Sequence, residues 1–248
     1  MSARTRLALF LAATAGFAAL LAWGFAGLPD FGTYKGPYGL VLDRTAVGAR
    51  HAPNLPTAVN FDYRAIDTLG EEFILFAAAI GLAVVLRSRR EGEERPPTAR
   101  VAERAVAAGD TTRVAGVGLI GATLLLGLWV VTHGHLTPGG GFQGGVVLAA
   151  GLMLVYLTGG SITLRRVSPW AFIEATEAAG AGGFAVLGLA GLVVGAAFFD
   201  NVLPLGGVGD LLSGGAIPLA NVIVGFEVAA AFAMVFSELL EQALVVKR

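Results

Sequence analysis

Thr132-His133-Gly134-His135-Leu136-Thr137-Pro138-Gly139-Gly140-Gly141-Phe142-Gln143-Gly144-Gly145 lies between two apolar runs, residues 114–132 and 142–158. Each run approaches the roughly 20 residues a helix needs to cross the hydrocarbon core of a bilayer. The stretch between them reads as a turn, because Pro138 breaks a helix and Gly139, Gly140 and Gly141 let the backbone take positive φ and come close to a neighbour. Irregular backbone at a membrane boundary must find its hydrogen bonds inside the protein or line a cavity. His133, His135 and Gln143 are the polar side chains at hand to make them. The stretch therefore dictates two membrane helices joined by a built turn.

The rest of the chain is of the same kind. Hydrophobic residues make up 55% of the sequence and charged residues 14%. Apolar spans fall near residues 7–27, 66–86, 114–132, 142–158, 180–199 and 219–240, which predicts an all-α, polytopic integral membrane protein with six transmembrane helices. With the N-terminus inside, the inner segments carry Arg4, Arg6, Arg87, Arg89, Arg90, Arg95, Arg100, Arg104, Arg113, Arg165, Arg166, Lys247 and Arg248, and the outer ones Lys35, Arg44, Arg50 and Arg64. That is 13 basic residues against 4. This bias predicts a multi-pass protein with both termini cytoplasmic. The first span also fits a signal peptide, with a basic start and a small-residue cleavage site at Gly24-Phe25-Ala26; cleavage would leave five helices and an outside N-terminus.

Between the first two spans, Pro29, Pro37, Pro53 and Pro56 indicate an outer loop of turns. The charged inner segment around Pro96-Pro97, with a short helix expected over residues 98–108, is the clearest seam. It divides the chain into a two-helix module (1–90), a linker (91–112) and a four-helix module (113–248).

Several chemistries are excluded. The chain has no cysteine, hence no disulfide, thiolate metal site, iron–sulfur ligation or cysteine nucleophile. A net charge of −1 with basic residues confined to short loops gives no nucleic-acid surface. No GxxxxGK[ST] or HExxH string occurs, so no nucleotide, metal or other cofactor is expected, and the chain is expected not to be an enzyme.

Residues 132–145, the apolar run after them and the later Ser213-Gly214-Gly215 resemble the MnhB/MrpB family, a small membrane subunit of multisubunit Mrp-type sodium/proton antiporters. The resemblance covers about residues 113–245. Separately, Ala58-Val59-Asn60-Phe61-Asp62-Tyr63-Arg64-Ala65-Ile66-Asp67-Thr68-Leu69-Gly70-Glu71, leading into an apolar helix, resembles the C-terminal segment of the large MrpA chain and of its stand-alone, MbhE-like counterpart in membrane-bound hydrogenases. Glu72 departs from the common form of that segment. The resemblance implies a component of a prokaryotic inner-membrane antiporter, working with large MrpA/MrpD-like and small MrpC-like chains to exchange sodium for protons. The alternative is a complex-I-like respiratory complex such as a membrane-bound hydrogenase. A third reading is a pure scaffold.

No span contains a lysine. A buried ammonium of tunable pKa, which proton-pumping membrane subunits use, is therefore missing, and an ion path completed at an interface with larger subunits is the better expectation. Glu227, near the middle of the last span, is the first candidate, since a carboxylate there is costly unless paired, hydrated or protonated. Asp67 and Glu71 stand one turn apart on one face at the outer end of the second helix, beside Glu72. Together they read either as a cation-attracting group or as ordinary N-terminal acids. Asp62 and Arg64 lie just before them as a surface ion pair or partner contact. Glu174 and Glu177 form a similar pair on a helix leading into the fifth span, behind the Ser168-Pro169 start signal. His133 and His135 read as proton carriers near neutral pH or as partners, with Gln143, for the backbone around Pro138. The glycines of residues 180–195 read as close helix packing.

Overall fold

The computed structural model describes residues 3–28, 36–91, 109–194 and 197–246, and among these it is helical with no strand. The short helix expected over residues 98–108 lies outside the described residues. The chain forms two units, residues 1–41 and 42–248. In the first, α1 (Ala3–Ala26) is apolar around its circumference, with Phe10, Phe17 and Trp23 exposed, as suits a helix facing lipid or a partner chain.

The chain then enters α2 (Pro37–Arg50), α3 (Leu55–Ala58) and a single π-helical turn over Val59–Tyr63. This corrects the expectation of a loop of turns. Pro37 stands first in its helix and Pro56 in the first turn of α3, where a missing N–H costs nothing, so these prolines start helices here.

Four long helices follow α4 (Ala65–Glu91): α5 (Asp110–Thr132), α6 (Gly141–Val167), α7 (Trp170–Val193) and α8 (Ile217–Val246). With α1 they supply six helices long and apolar enough to span a membrane. The fifth span runs over Trp170–Val193 and so begins ten residues earlier than the apolar run suggests. Pro169 caps it directly, which carries Glu174 and Glu177 into the span. α6 breaks at Gly160, whose φ of 74° lies in the left-handed region.

α8 is the hub, packing against α4, α5, α6 and α7. Stripes spaced three, four or seven residues apart set the contact. Glu227, Ala231, Met234 and Glu238 on α8, Glu72, Ala79 and Ala83 on α4, and Ile173, Glu177, Gly180 and Phe184 on α7 are all buried. One core cluster, around Ala52, Phe61, Phe184, Phe199, Ile217 and Val224, lies toward the glycine-turn end. The other, around Ala79, Ala83, Ile173, Ala230, Ala231 and Met234, lies toward the opposite end. Phe199 holds a φ of 63°, unusual for a bulky side chain, with its ring 5.0 Å from that of Phe184 and 4.6 Å from that of Phe198.

Candidate functional site: a buried carboxyl group of three helices

Glu227 is the eleventh residue of α8, near the centre of its span, and is fully buried. It owes its place to Gly180 on α7. A Cβ added at Gly180 would collide with the Glu227 Cβ and lie 2.9 Å from its Cγ, so the absence of a side chain brings the two backbones together at the level of the carboxyl. Glu177, one turn before Gly180, is 1% exposed. From the other side α4 contributes Glu72, which is also fully buried.

The Glu72 and Glu227 carboxyls lie within hydrogen-bonding reach of each other. Neither carboxyl, nor Oε1 of Glu177, has a hydrogen-bond donor. A carboxylate only accepts, so a bond between Glu72 and Glu227 forms when one of them carries a proton. In an apolar interior such groups need a proton, a cation or water. The arrangement can therefore take up and pass on a positive charge.

The remaining candidates fall elsewhere. Glu71, which the sequence places with Asp67 as the pair to watch, is exposed, and its neighbour Glu72 turns inward instead. Asp67 is exposed and pairs with Arg64 at 2.5 Å. Arg64 is thus not the partner of Asp62, whose Oδ1 accepts from Arg50 Nε at 2.7 Å and whose Oδ2 accepts from Asn201 Nδ2 at 2.8 Å. Glu174 lies on the exposed face of α7.

The glycine turn is built by residues that sequence reasoning overlooked. Gly139 and Gly140 adopt φ of 137° and 149°, as Pro138-Gly139-Gly140-Gly141 predicts. Gln143 is exposed, and the turn's backbone is met instead by Asn54, whose Nδ2 donates to the carbonyls of Gly134 (2.6 Å) and Thr137 (2.9 Å). Thr57 Oγ1 donates to Gly134 at 2.8 Å. The buried Asn221 takes the Gly141 N–H on its Oδ1 at 2.9 Å and donates to the Ile217 carbonyl at 3.0 Å. A lone asparagine in an apolar span was the one signal that would have found it.

His133 stacks on Trp129 at 5.0 Å, and its Nδ1 lies 3.0 Å from the Trp129 carbonyl, so it finishes its own helix. His135 is fully buried with neither ring nitrogen hydrogen-bonded. Burial pushes its imidazole below the ordinary value, the nearby backbone of Asp210 and Leu211 opposes this, and His133 adds to it.

With this geometry established, comparison with known proteins gives the lineage. The family described as a domain related to the MnhB subunit of Na+/H+ antiporters matches residues 111–234, from the start of α5 into α8. The chain belongs to this MnhB-related family. Glu177 and Glu227 fall inside the family match and Glu72 outside it. An uncharacterised protein of Methanocaldococcus jannaschii is 32% identical over 198 residues, which is 72% of this chain and 73% of the relative. A probable K+/H+ antiporter A/B component of Rhizobium meliloti is 31% identical over 126 residues, 44% of this chain and 12% of that protein.

Among solved structures, a chain of the membrane-bound sulfane sulfur reductase, an archaeal respiratory membrane complex, superposes with a TM-score of 0.69 at 31% identity, covering 96% of this chain and 99% of its own. A chain of the Mrp complex from a Dietzia species gives 0.68 at 25% identity, covering 96% of this chain but only 26% of its own. This MnhB-related chain is a multi-pass membrane protein of the kind found as one component of Mrp-type antiporter-like complexes.

Proposed function

We propose that this chain is a non-catalytic subunit of a multisubunit cation/proton antiporter and that Glu72, Glu177 and Glu227 form part of its ion path. The observation that carries this is the burial of three carboxyls from three helices, each well inside its span, none with a basic partner among the described residues. Keeping such groups without a role costs stability, whereas a path for protons or sodium requires them. The working partners are larger MrpA/MrpD-like and smaller MrpC-like chains, the membrane is the prokaryotic inner membrane, and both termini face the cytoplasm. In this reading residues 1–90 are an MrpA-tail-like module, fused through a cytoplasmic linker to the MnhB-like one. Asp67, Glu71 and Glu174, exposed on the isolated chain, are then contacts for partners or stations at either end of the path.

A second reading keeps the site and places the chain in a complex-I-like respiratory assembly. It draws on the reductase chain, which this protein covers almost end to end, including helices outside the MnhB match. Copurification with iron–sulfur subunits would favour it.

The experiment is sodium-induced collapse of a pH gradient in inverted vesicles from an antiporter-deficient host expressing the whole gene cluster. Glu227→Gln is expected to abolish exchange while the complex assembles normally. Full exchange by an assembled Glu227→Gln complex would leave the chain a scaffold.

A further inference from the structure

The connection from α7 to α8 folds over a buried histidine. The Gly214 N–H donates to the Leu205 carbonyl at 2.8 Å, so residues 205–214 leave the fold and return to it at one point. Turns inside this loop are held by the Asp210 N–H on the Gly207 carbonyl (3.1 Å) and the Ser213 N–H on the Asp210 carbonyl (2.9 Å). Gly206, Gly209 and Gly214 supply the left-handed conformations it needs, with φ of 65°, 92° and 86°. Residues 206–212 are exposed, whereas His135 beneath them is fully buried, its ring against the backbone of Asp210 and Leu211. Ser213, where the loop returns, is fully buried too. Closure leaves Nδ1 and Nε2 of His135 and Oγ of Ser213 without a hydrogen-bond partner. Each has lost water and gained no bond in exchange, a cost that opening of the loop removes.

A second histidine pins the loop from another element. His51, just after α2 and itself at a φ of 54°, donates from Nδ1 to the Gly206 carbonyl at 2.6 Å. Both a neutral ring and an imidazolium can carry that N–H, so acid leaves this bond in place and acts through His135. The titratable and charged groups around His135 are few. His133 shares its turn and opposes a second positive charge, and the Asp210 carboxylate lies over Gly207 of the loop. The Arg50–Asp62 pair stands at the loop's base, reached through Asn201. The start of α3 and the first turns of α8 bring Asn54 and Asn221, which do not titrate. No carboxylate is hydrogen-bonded to the His135 ring.

We infer that residues 205–214 form a pH-operated lid, latched by His51 at neutral pH and released in acid, when water reaches His135 and its ring takes up a proton. Proton uptake and opening favour each other, because an imidazolium here is hydrated only when the lid is open. An open-state ring of ordinary pKa, about 6.5, drives opening by up to about tenfold for each pH unit below that value, until the closed ring titrates as well. Opening uncovers the turn that joins α5 to α6, on the outer face in the orientation proposed above. The device stands whether or not Glu227 carries ions.

The chain's lack of cysteine permits a direct test. Ser213→Cys replaces a hydroxyl that makes no hydrogen bond, so the substitution breaks none. The assembled complex carrying it is treated with N-ethylmaleimide, and labelling is followed by the mass of this chain. Each rate is divided by that of the same complex denatured at the same pH, which cancels the reagent's own pH dependence. Between about pH 7.5 and about pH 5.5 the normalised rate is expected to rise up to about tenfold. It should stay flat when Ser213→Cys is combined with His135→Gln or with His135→Phe. His51→Asn should raise labelling at both pH values. A rate independent of pH with His135 present, or an equal rise with and without His135, would overturn the lid. Labelling unchanged by His51→Asn would overturn the latch.

Discussion

The dependence of the carboxyl group on Gly180 can be put to a matched test, because the same helix offers a control two residues away. A Cβ at Gly180 would lie 2.9 Å from the Cγ and 3.0 Å from the Cα of Glu227, against open space within 4 Å at Gly182. Gly180→Ala must therefore push α7 from α8 by about half an ångström or more, and overpacking of this kind costs about 1–3 kcal/mol. Both substitutions share the gain from replacing a helical glycine, about 0.5–1 kcal/mol in soluble helices. The common term cancels in the difference, leaving Gly180→Ala less stable than Gly182→Ala by about 1–3 kcal/mol, a factor of about 5 to 150 in the folded population. Thermal unfolding of the purified complex, followed by fluorescence-detected size exclusion, measures this. Vesicle exchange at a permissive temperature then reads the displaced Glu227, with a severalfold loss expected in Gly180→Ala alone. Equal melting and equal exchange for the two variants would refute the reasoning.

Other consequences are as concrete. Asn221→Ala strands the buried Gly141 N–H and is expected to destabilise the chain by about 1–3 kcal/mol, seen as a lower midpoint on thermal unfolding of the complex. Buried His135 has its pKa lowered, so the folded state binds its proton less readily than the unfolded chain. Its contribution to stability is complete above the unfolded value of about 6.5 and is lost as pH falls from there through the folded value. Protection factors in residues 133–141 and 203–213, with the intrinsic exchange rate divided out, should fall below about pH 6.5, and His135→Phe should flatten that dependence.

The sequence makes the membrane helices plain, because run length and charge exclusion are local properties. What it obscures depends on contacts between distant residues. Pro37 and Pro56 read as turns, yet their first-turn positions start helices instead. Glu174 and Glu177 look like one solvated pair until Pro169 carries both into the span and the contact with α8 buries only Glu177. Likewise Glu71 and Glu72 differ in which face α7 and α8 cover, which no periodicity reveals in a helix that is apolar nearly all round. Asn54 and Thr57 reach the glycine turn across about 80 residues of sequence, so only the fold shows that they complete it.

The interlocked rings of Phe61, Phe184 and Phe199 have a consequence for energy conversion. In the proposed path a charge held at Glu227 would meet these rings on the glycine-turn side, where they would act as a stopper. Phe184 belongs to α7, the helix that also carries Glu177 and Gly180, and Phe199 is held to it through the Gly188 carbonyl at 3.0 Å. A push on α7 from a neighbouring chain would thus shift the stopper and the carboxyl group in one stroke, tying release on the far side to a change of charge at the centre.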